Sequence, residues 1–383
     1  MAFFFSIFFT LYAALNFYIC VRGWQALEIA PQLRFYYLVI FVFASLSYLI
    51  TKFFTKFLPD FLYDIMIWVG SFWFAFMVYF FLAAILVDIL RLVNLQFHFM
   101  PAQFYNNYLQ TKAVAGAVVL AVVSLIVFAG YLNTRVVKVN TLELNLPKKN
   151  SNIKSLNAVL VSDIHLSPMD NEKFLSKIVD KINSLNPEIV FIAGDLFDDK
   201  AEILTKRGIG PALLKLKPKF GVFACTGNHE FINGINSACA YIRNHGITLL
   251  RDESIKIGNS FYIISRDDRA MRQFVGTKRK SLSELMSKVD GKLPVILMDH
   301  TPLGLEEAEV NNIDLQLSGH THHGQMFPAN LITKTIYEQS WGYLRKSSTQ
   351  YYVSCGAGTW GPPVRIGSRS EIVNLKINFV AQN

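Results

Sequence analysis

Cysteine is scarce in this chain of 383 residues, and its spacing excludes two classes of protein. The four cysteines, Cys20, Cys225, Cys239 and Cys355, include no CxxC pair. A zinc ribbon needs such pairs, and a small disulfide-stapled domain needs a denser framework of cysteines. We therefore expect isolated buried thiols, which favour a reducing compartment.

Charge is scarce as well, because Asp, Glu, Lys and Arg make up 17% of the chain and hydrophobic residues make up 52%. The net charge is +9, but the basic residues form no dense cluster of the kind that nucleic-acid-binding surfaces carry. Many of them flank long apolar runs, as basic residues do beside membrane spans. We expect a lipid bilayer as a partner and no nucleic acid.

Four apolar runs near the N-terminus contain no Lys, Arg, Asp or Glu; they cover residues 2–21, 35–51, 65–87 and 113–134. About 20 apolar residues suffice to cross a bilayer, so residues 1–135 predict a membrane module of about four transmembrane helices. The absence of charge gives no sign of an ion pathway. The first run lacks a basic start and a small-residue cleavage site, which favours a retained helix over a signal peptide. Residues 136–154 are predicted to be a linker.

The positions of Lys and Arg beside the runs predict an orientation. With four spans, the N-terminus and the C-terminal domain share one side of the membrane. That side holds the larger basic set, which is Lys52, Lys56, Arg135, Lys138, Lys148 and Lys149. This bias favours an integral multi-pass protein with its C-terminal domain in the cytoplasm. It leaves open whether the helices only anchor the chain or also bind a lipid.

From about residue 155, apolar runs of strand length alternate with helix-like stretches, which predicts an α/β domain over residues 155–383. Five of these runs end in side chains that commonly bind metals. The side chains are Asp163 and His165, then Asp195 and Asp198, then Asn228 and His229, then Asp299 and His300, and finally His320, His322 and His323. Strands in open α/β sheets bring their carboxyl ends to a shared crevice, so we expect one common site.

The donor types in these clusters indicate which ions such a site would take. Carboxylate, imidazole and amide oxygen suit manganese, iron or zinc, and they do not suit an ion that prefers thiolate. The set has more donors than one ion needs and contains a carboxylate able to bridge, which predicts two divalent metal ions. Such a pair polarises a phosphoryl oxygen and generates a hydroxide nucleophile near neutral pH.

The segments DIH, GDLFD, GNHE, DHTP and GHTHH together resemble, in this order, the motifs of the calcineurin-like metallophosphoesterases. The similarity covers roughly residues 155–375. The apolar helices ahead of it and the form GHTHHGQ resemble the transmembrane branch of that family. The resemblance implies that all-α transmembrane helices precede an α/β (α+β) domain, a two-sheet β-sandwich flanked by helices.

The resemblance also implies a role for each matched residue. The metal ligands would be Asp163, His165 and His322 at the first ion, Asp195 as the bridge, and Asn228, His300 and His320 at the second ion. His229, next to Glu230 in the chain, would sit beside the phosphate and stabilise or protonate the leaving oxygen. His229, Asp195 and Asn228 are therefore the predicted catalytic residues.

Two positions near these motifs are candidates for orienting a ligand or contacting substrate. Asp198 would fix the orientation of a ligand, although a surface turn is an equal alternative. His320 and His322 are two apart, so on an extended segment they project to the same side and His323 projects to the other. We therefore expect His323 to orient a ligand or to contact substrate instead of binding a metal.

Two arginines in the mixed-charge stretch 265–280 are candidates for substrate contact. Arg266 and Arg269 carry guanidinium groups, which match phosphate oxygens in a bidentate manner. A solvated loop is the alternative interpretation of this stretch.

These features predict a membrane-anchored metal-dependent phosphoesterase, a phosphodiesterase or pyrophosphatase. It would hydrolyse a phosphoester or pyrophosphate bond by metal-activated hydroxide, on a phosphorylated small molecule or a lipid-linked substrate. The alternative is a non-catalytic, metal-dependent sensor or binding protein that signals through its membrane helices. The sequence indicates no oligomeric state.

Overall fold

The computed structural model describes residues 2–55, 57–170 and 172–381. One compact unit runs to Leu132 and includes Gly361–Val364, and a second unit holds Asn133–Trp360 and the chain from Arg365 onward. The helices are α1 Ala2–Ala26, α2 Arg34–Phe54, α3 Asp60–Phe97, α4 Gln103–Asn106, α5 Tyr108–Thr134, α6 Glu172–Ser184, α7 Ala201–Lys206, α8 Asn228–Ile232, α9 Ile235–Asn244, α10 Met271–Phe274, α11 Leu282–Met286, α12 Glu306–Val310 and α13 Ala329–Ile336. The strands are β1 Lys138–Pro147, β2 Ser155–Val161, β3 Ile189–Ala193, β4 Val222–Cys225, β5 Thr248–Leu249, β6 Glu253–Ile257, β7 Phe261–Ser265, β8 Val295–Met298, β9 Leu315–Ser318, β10 Gly342–Lys346, β11 Thr349–Val353 and β12 Glu371–Val380.

The first unit is helical, and four of its helices are long and apolar enough to cross a membrane. This confirms the apolar helices predicted from the four runs. Helix α3 has 38 residues and is therefore about 57 Å long, which exceeds the roughly 30 Å hydrocarbon core of a bilayer. Asn16 joins α1 to α3, because its Oδ1 accepts a 2.9 Å hydrogen bond from the indole of Trp73.

The second unit contains two six-stranded sheets, with the orders β1-β12-β2-β3-β4-β5 and β10-β11-β9-β8-β7-β6. Strands β2, β3 and β4 run parallel to one another, and so do β7, β8 and β9. The candidate ligands follow β2, β3 and β4 in one sheet and β8 and β9 in the other.

Alternating side chains along the strands divide the core into layers. In β2, Leu160 points into the cluster shared by both sheets, whereas Val161 packs in the cluster that also contains helix α6. In β8, Ile296 belongs to the shared cluster, and Leu297 packs in the cluster that contains α11 and α12. Side chains in a strand alternate between faces, so each sheet buries both of its sides. The predicted two-sheet sandwich flanked by helices is confirmed.

The segment 136–154, predicted to be a linker, contains a strand of the first sheet. All ten residues of β1, from Lys138 to Pro147, pair in parallel with β12. Leu144 and Leu146 are buried in the core between the sheets. The apolar residues at every second position of TLELNLP bury one face of this strand, so the linker prediction is corrected here.

Candidate metal centre

The loops that carry the candidate ligands share an unusual backbone conformation. Five of the predicted metal ligands have φ angles between 47° and 72°, and they are Asp163, His165, Asp195, His320 and His322. Such conformations cost on the order of 1–3 kcal/mol each and persist only where the surroundings enforce them. Here the loops brace one another, since Asp163 N donates to Gly194 O at 3.0 Å and His165 N donates to Asp195 O at 3.2 Å.

One group of donors joins the first motif to the last. Asp163, His165 and His322 are all buried, and each offers a ligand atom to a common point. The Nε2 atoms of His165 and His322 lie 2.9 Å apart, and His322 Nε2 is 3.5 Å from Asp163 Oδ1. This group contains the three residues predicted for the first metal.

A second group forms around Asp195, His300 and His320. His300 Nε2 lies 3.1 Å from Asp195 Oδ2, and His320 Nδ1 lies 2.9 Å from Asn228 Oδ1. Asp195 Oδ2 is also 3.7 Å from His165 Nε2, so this carboxylate lies between the two groups. The structure thus brings together every residue predicted as a metal ligand.

The hydrogen bonding of His300 provides a test of whether these residues fit a metal. Its Nδ1 lies 2.7 Å from Ala193 O, which requires the proton on that nitrogen. The buried Nε2 has no hydrogen-bond partner among the described residues, yet it faces the Asp195 carboxylate. A neutral imidazole would then place its lone pair against a carboxylate oxygen. A proton on Nε2 or a cation held by both residues would remove this repulsion, so the donor set fits a divalent metal.

His229 is positioned by two acidic residues. Its backbone N donates to Asp195 Oδ1 at 2.8 Å, and its ring Nδ1 lies 3.0 Å from Asp198 Oδ1. The His229 ring also packs edge-on against His165, with 4.6 Å between the centroids. Asp198 therefore contacts His229 in addition to lying 3.6 Å from His165 Nδ1. A third combination of donors, His165, Asp195 and His229, overlaps the first two groups.

Opposite charges in a dry site shift the pKa values of its members. Burial opposes the charged form of His165, but the carboxylates of Asp163, Asp198 and Asp195 around it outweigh burial and raise its pKa to about 10. Burial would favour neutral Asp195, yet the nearby His300 and His229 hold its pKa well below the usual range. The carboxylates therefore stay ionised, and a metal would displace protons from imidazoles as it bound.

Arg266 and Arg269, predicted as phosphate contacts, are engaged elsewhere. Arg266 is buried, and its Nη1 lies 2.7 Å from Glu307 Oε2 and 3.3 Å from Asp299 Oδ2. Arg269 Nη2 donates to Leu303 O at 2.6 Å. Arg266 is therefore held by acidic residues, whereas the Arg269 side chain is 40% exposed, and both stay candidates for substrate contact.

The structure separates His323 from the donor groups, although not for the predicted reason. Residues His322–Gly324 form a 3₁₀ turn instead of an extended segment, and His323 has a φ of 48°. His323 Nδ1 lies 3.1 Å from Ser340 Oγ, and its ring packs 5.5 Å from Trp341. His323 thus contacts Ser340 and Trp341 through a turn in a left-handed conformation, and its role in orienting a ligand or contacting substrate stays a prediction.

Two residues that support the site were given no role from the sequence. The buried carboxylate of Glu230 accepts hydrogen bonds from Gly227 N, Asp195 N and Leu196 N, at 2.6, 3.0 and 2.8 Å. Arg365 is completely buried, and its Nη2 lies 2.7 Å from Cys355 O and 3.1 Å from His322 Nδ1. No local sequence pattern points from Arg365 to a histidine.

Comparisons with known proteins agree with this geometry. Residues 156–324 match the family model of the calcineurin-like phosphoesterases. An uncharacterized metallophosphoesterase of Campylobacter jejuni is 30% identical over 280 residues, 71% of this chain and 71% of the relative. A transmembrane protein with metallophosphoesterase domain from Danio rerio is 32% identical over 250 residues, 62% and 56% of the two chains. The UDP-2,3-diacylglucosamine pyrophosphatase LpxG of Chlamydia trachomatis is 26% identical over 310 residues, 65% and 92% of the two chains.

A two-sheet sandwich with Asp, Asn and His donors gathered at its strand ends defines an α/β protein with a candidate metal centre. More particularly, the chain belongs to the calcineurin-like phosphoesterase family. The resemblance predicted from the five motifs is thereby confirmed, and relatives named as transmembrane proteins agree with the predicted branch. The matched part spans 60% of the length of two Helicobacter pylori relatives.

Replacement of Asp195 by Asn tests whether one carboxylate serves both groups. We expect bound metal in the purified full-length protein to fall from about two ions per chain to one or fewer, because Asp195 lies between the groups. Elemental analysis by mass spectrometry measures this. The exposed Asp290→Asn is the matched control and should keep both ions; an Asp195→Asn protein with two tightly bound ions would contradict the assignment.

Substitution of Gly319 by Ala tests how closely the backbone must approach the site. A Cβ there would collide with Asp163 Oδ2 and lie 2.7 Å from Ser162 Oγ, so Asp163 would have to move. We expect metal affinity to fall about 10–100-fold, as when a ligand loses its support. Competition with a chelator measures the affinity. Gly291→Ala is the control, since a Cβ at Gly291 meets nothing within 4 Å.

A comparison of His322→Ala with His323→Ala separates two neighbouring histidines. We expect His322→Ala to lose an ion and His323→Ala to keep both, because only His322 belongs to a donor group. Metal content and the thermal shift on adding manganese measure the difference. Loss of metal from His323→Ala at unchanged folding would show that the assignment is wrong.

Proposed function

We propose that this protein is a membrane-anchored, metal-dependent phosphoesterase. The observation that carries the proposal is the buried Asp195 carboxylate between two sets of converging donors. Membership of the calcineurin-like phosphoesterase family supports it. We also propose a membrane module to about residue 135, a phosphoesterase domain that follows it and includes strand β1 from Lys138, and a cytoplasmic position for that domain.

The proposed ligands follow the two donor groups. Asp163, His165 and His322 would hold one ion, Asn228, His300 and His320 would hold the other, and Asp195 would bridge them. When bound, manganese, iron or zinc would polarise the phosphoryl oxygen and activate water for attack. Protonation of the leaving oxygen is assigned to a side chain that does not bind metal.

His229 is the proposed acid for the leaving oxygen. Asp198 Oδ1, 3.0 Å from His229 Nδ1, accepts a hydrogen bond from that nitrogen and so fixes the ring. The Nε2 atom is then available to hold a proton toward the substrate. General acid catalysis of this kind contributes about 10²–10⁴-fold to rate. Because the site is buried, its fixed charges also act in a low dielectric, where they are stronger than in water.

The proposed substrate is a phosphoester or pyrophosphate on a small molecule or on a lipid. Four apolar helices support a substrate near a bilayer, since they hold the domain close to one. The relative LpxG is named as a pyrophosphatase of a diacylated nucleotide sugar, which adds support for the lipid-linked class.

Hydrolysis of bis(p-nitrophenyl) phosphate by the full-length protein with manganese tests this function. We expect activity in the wild type, and a loss of about 10²–10⁴-fold in His229→Gln at unchanged metal content. His245→Gln is the control, because His245 lies at the end of α9 with its Nδ1 against Tyr241 O. A folded, metal-loaded wild type that is inert toward diesters, monoesters and pyrophosphates would favour the sensor alternative.

A further inference from the structure

Helix α13 exposes an apolar surface that the α/β unit does not cover. None of its residues, Ala329–Ile336, is buried. Leu331, Ile332 and Ile336 are 53%, 58% and 58% exposed, and Phe327, just ahead of the helix, is 48% exposed. A helix this short is marginal alone in water and normally gains its stability by burying an apolar face. We therefore expect this face to pack against a partner outside the described part of the domain.

Aromatic side chains extend the same surface. Trp360 is 56% exposed, and Gln325 holds its backbone through two hydrogen bonds, at 2.9 Å to Trp360 O and 2.8 Å from Trp360 N. Gln325 precedes Phe327 by two residues, so Trp360 lies next to the start of the apolar surface. Exposed tryptophan is characteristic of the boundary between a membrane and water.

Hydrogen bonds connect this surface to the end of the last candidate span. Asn133, the penultimate residue of α5, donates from Nδ2 to Arg365 O at 3.0 Å and to Ser368 O at 2.9 Å. Ser368 Oγ in turn donates to Gln325 O at 3.2 Å. The segment that leads into α13 is thus fixed to the point where the chain leaves its candidate membrane helix.

We infer that Phe327, Leu331, Ile332, Ile336 and Trp360, the α13 surface, contact the lipids of the bilayer that the chain itself spans. The hydrogen bonds that connect Asn133 to Gln325 favour the bilayer over a second protein as the partner, because they keep this surface near the end of the candidate membrane helix. Lys334 on the same helix can meet anionic head groups. This contact does not depend on whether the domain hydrolyses a substrate.

The α13 surface borders the candidate metal centre. An open cavity of about 280 Å³ is lined by His323, Lys334, Tyr337 and Trp341 among others. The ring of Tyr337 lies 6.0 Å from that of His320, a proposed ligand. If the proposed function holds, a phosphoester carried by a membrane lipid reaches this cavity without leaving the interface.

Depth-dependent quenching in lipid nanodiscs with one chain per disc tests the contact. A fluorophore would be attached to Ile332→Cys or, as control, to Val310→Cys, which is 80% exposed on α12, both with Cys20 replaced by Ser. We expect nitroxide on the lipid chains to quench the label at 332 at least threefold more than the label at 310. Equal quenching, with equal access of iodide from water, would overturn the inference. So would a label at 332 that is shielded only when two chains share a disc.

A second measurement tests the route to the cavity, which rests on the proposed function. The double variant Leu331→Ser with Ile332→Ser should hydrolyse vesicle-borne diacylglycerol pyrophosphate at least fivefold more slowly and bis(p-nitrophenyl) phosphate at the normal rate. Equal losses, or a wild type that hydrolyses only the soluble diester, would overturn this route. A metal-loaded wild type inert toward both compounds and toward p-nitrophenyl phosphate would refute the proposed function, and the quenching result alone would then decide the lipid contact.

Discussion

The crowding of ionised and lone-pair-bearing atoms in a dry pocket is the constraint on which this structure depends. Asp163 and Asp195 are buried and held ionised, and their oxygens face the ring nitrogens of several histidines within 4.0 Å. Uncompensated charge of this kind is expensive to bury, so the arrangement requires protons or cations between its members. His300 makes the requirement specific, because Ala193 O fixes its Nδ1 proton and directs the other nitrogen at Asp195.

The protein holds this unfavourable arrangement through its backbone. The polar loops follow parallel strands of both sheets. The carboxylate of Glu230 accepts hydrogen bonds from three peptide N–H groups in the loops after β3 and β4. Asp163 likewise accepts a hydrogen bond from His320 N, which ties the first ligand motif to the last. Ligands fixed in this way lose little freedom when a metal binds, and that is how a scaffold raises affinity without additional contacts.

The sequence predicted the parts of the site that depend on residue type and order, and missed those that depend on long-range folding. The ligand-type residues at five strand ends are enough to predict one common site, because the carboxyl ends of parallel strands lie at the same edge of a sheet. The left-handed turn at His323 was mistaken for extended chain, since an isolated HTHHG run does not reveal its φ angles. Strand β1 was missed because its partner β12 lies more than 200 residues away. The contact of Arg365 with His322 spans 43 residues and follows no local periodicity.

The α13 surface is a second feature that a local sequence pattern does not predict. The octapeptide ANLITKTI has the apolar spacing of an ordinary amphipathic helix, which in a soluble domain indicates a face packed on the core. Only the fold reveals that α6, α11 and α12 already pack on the core of this domain. The apolar face of α13 has no buried residue and does not pack on that core. The hydrogen bonds that join its neighbouring segment through Ser368 to Asn133 are what support the proposed contact with a bilayer. The last ligand motif and α13 are consecutive segments of one chain, so the proposed chemistry would lie beside the proposed source of its substrate.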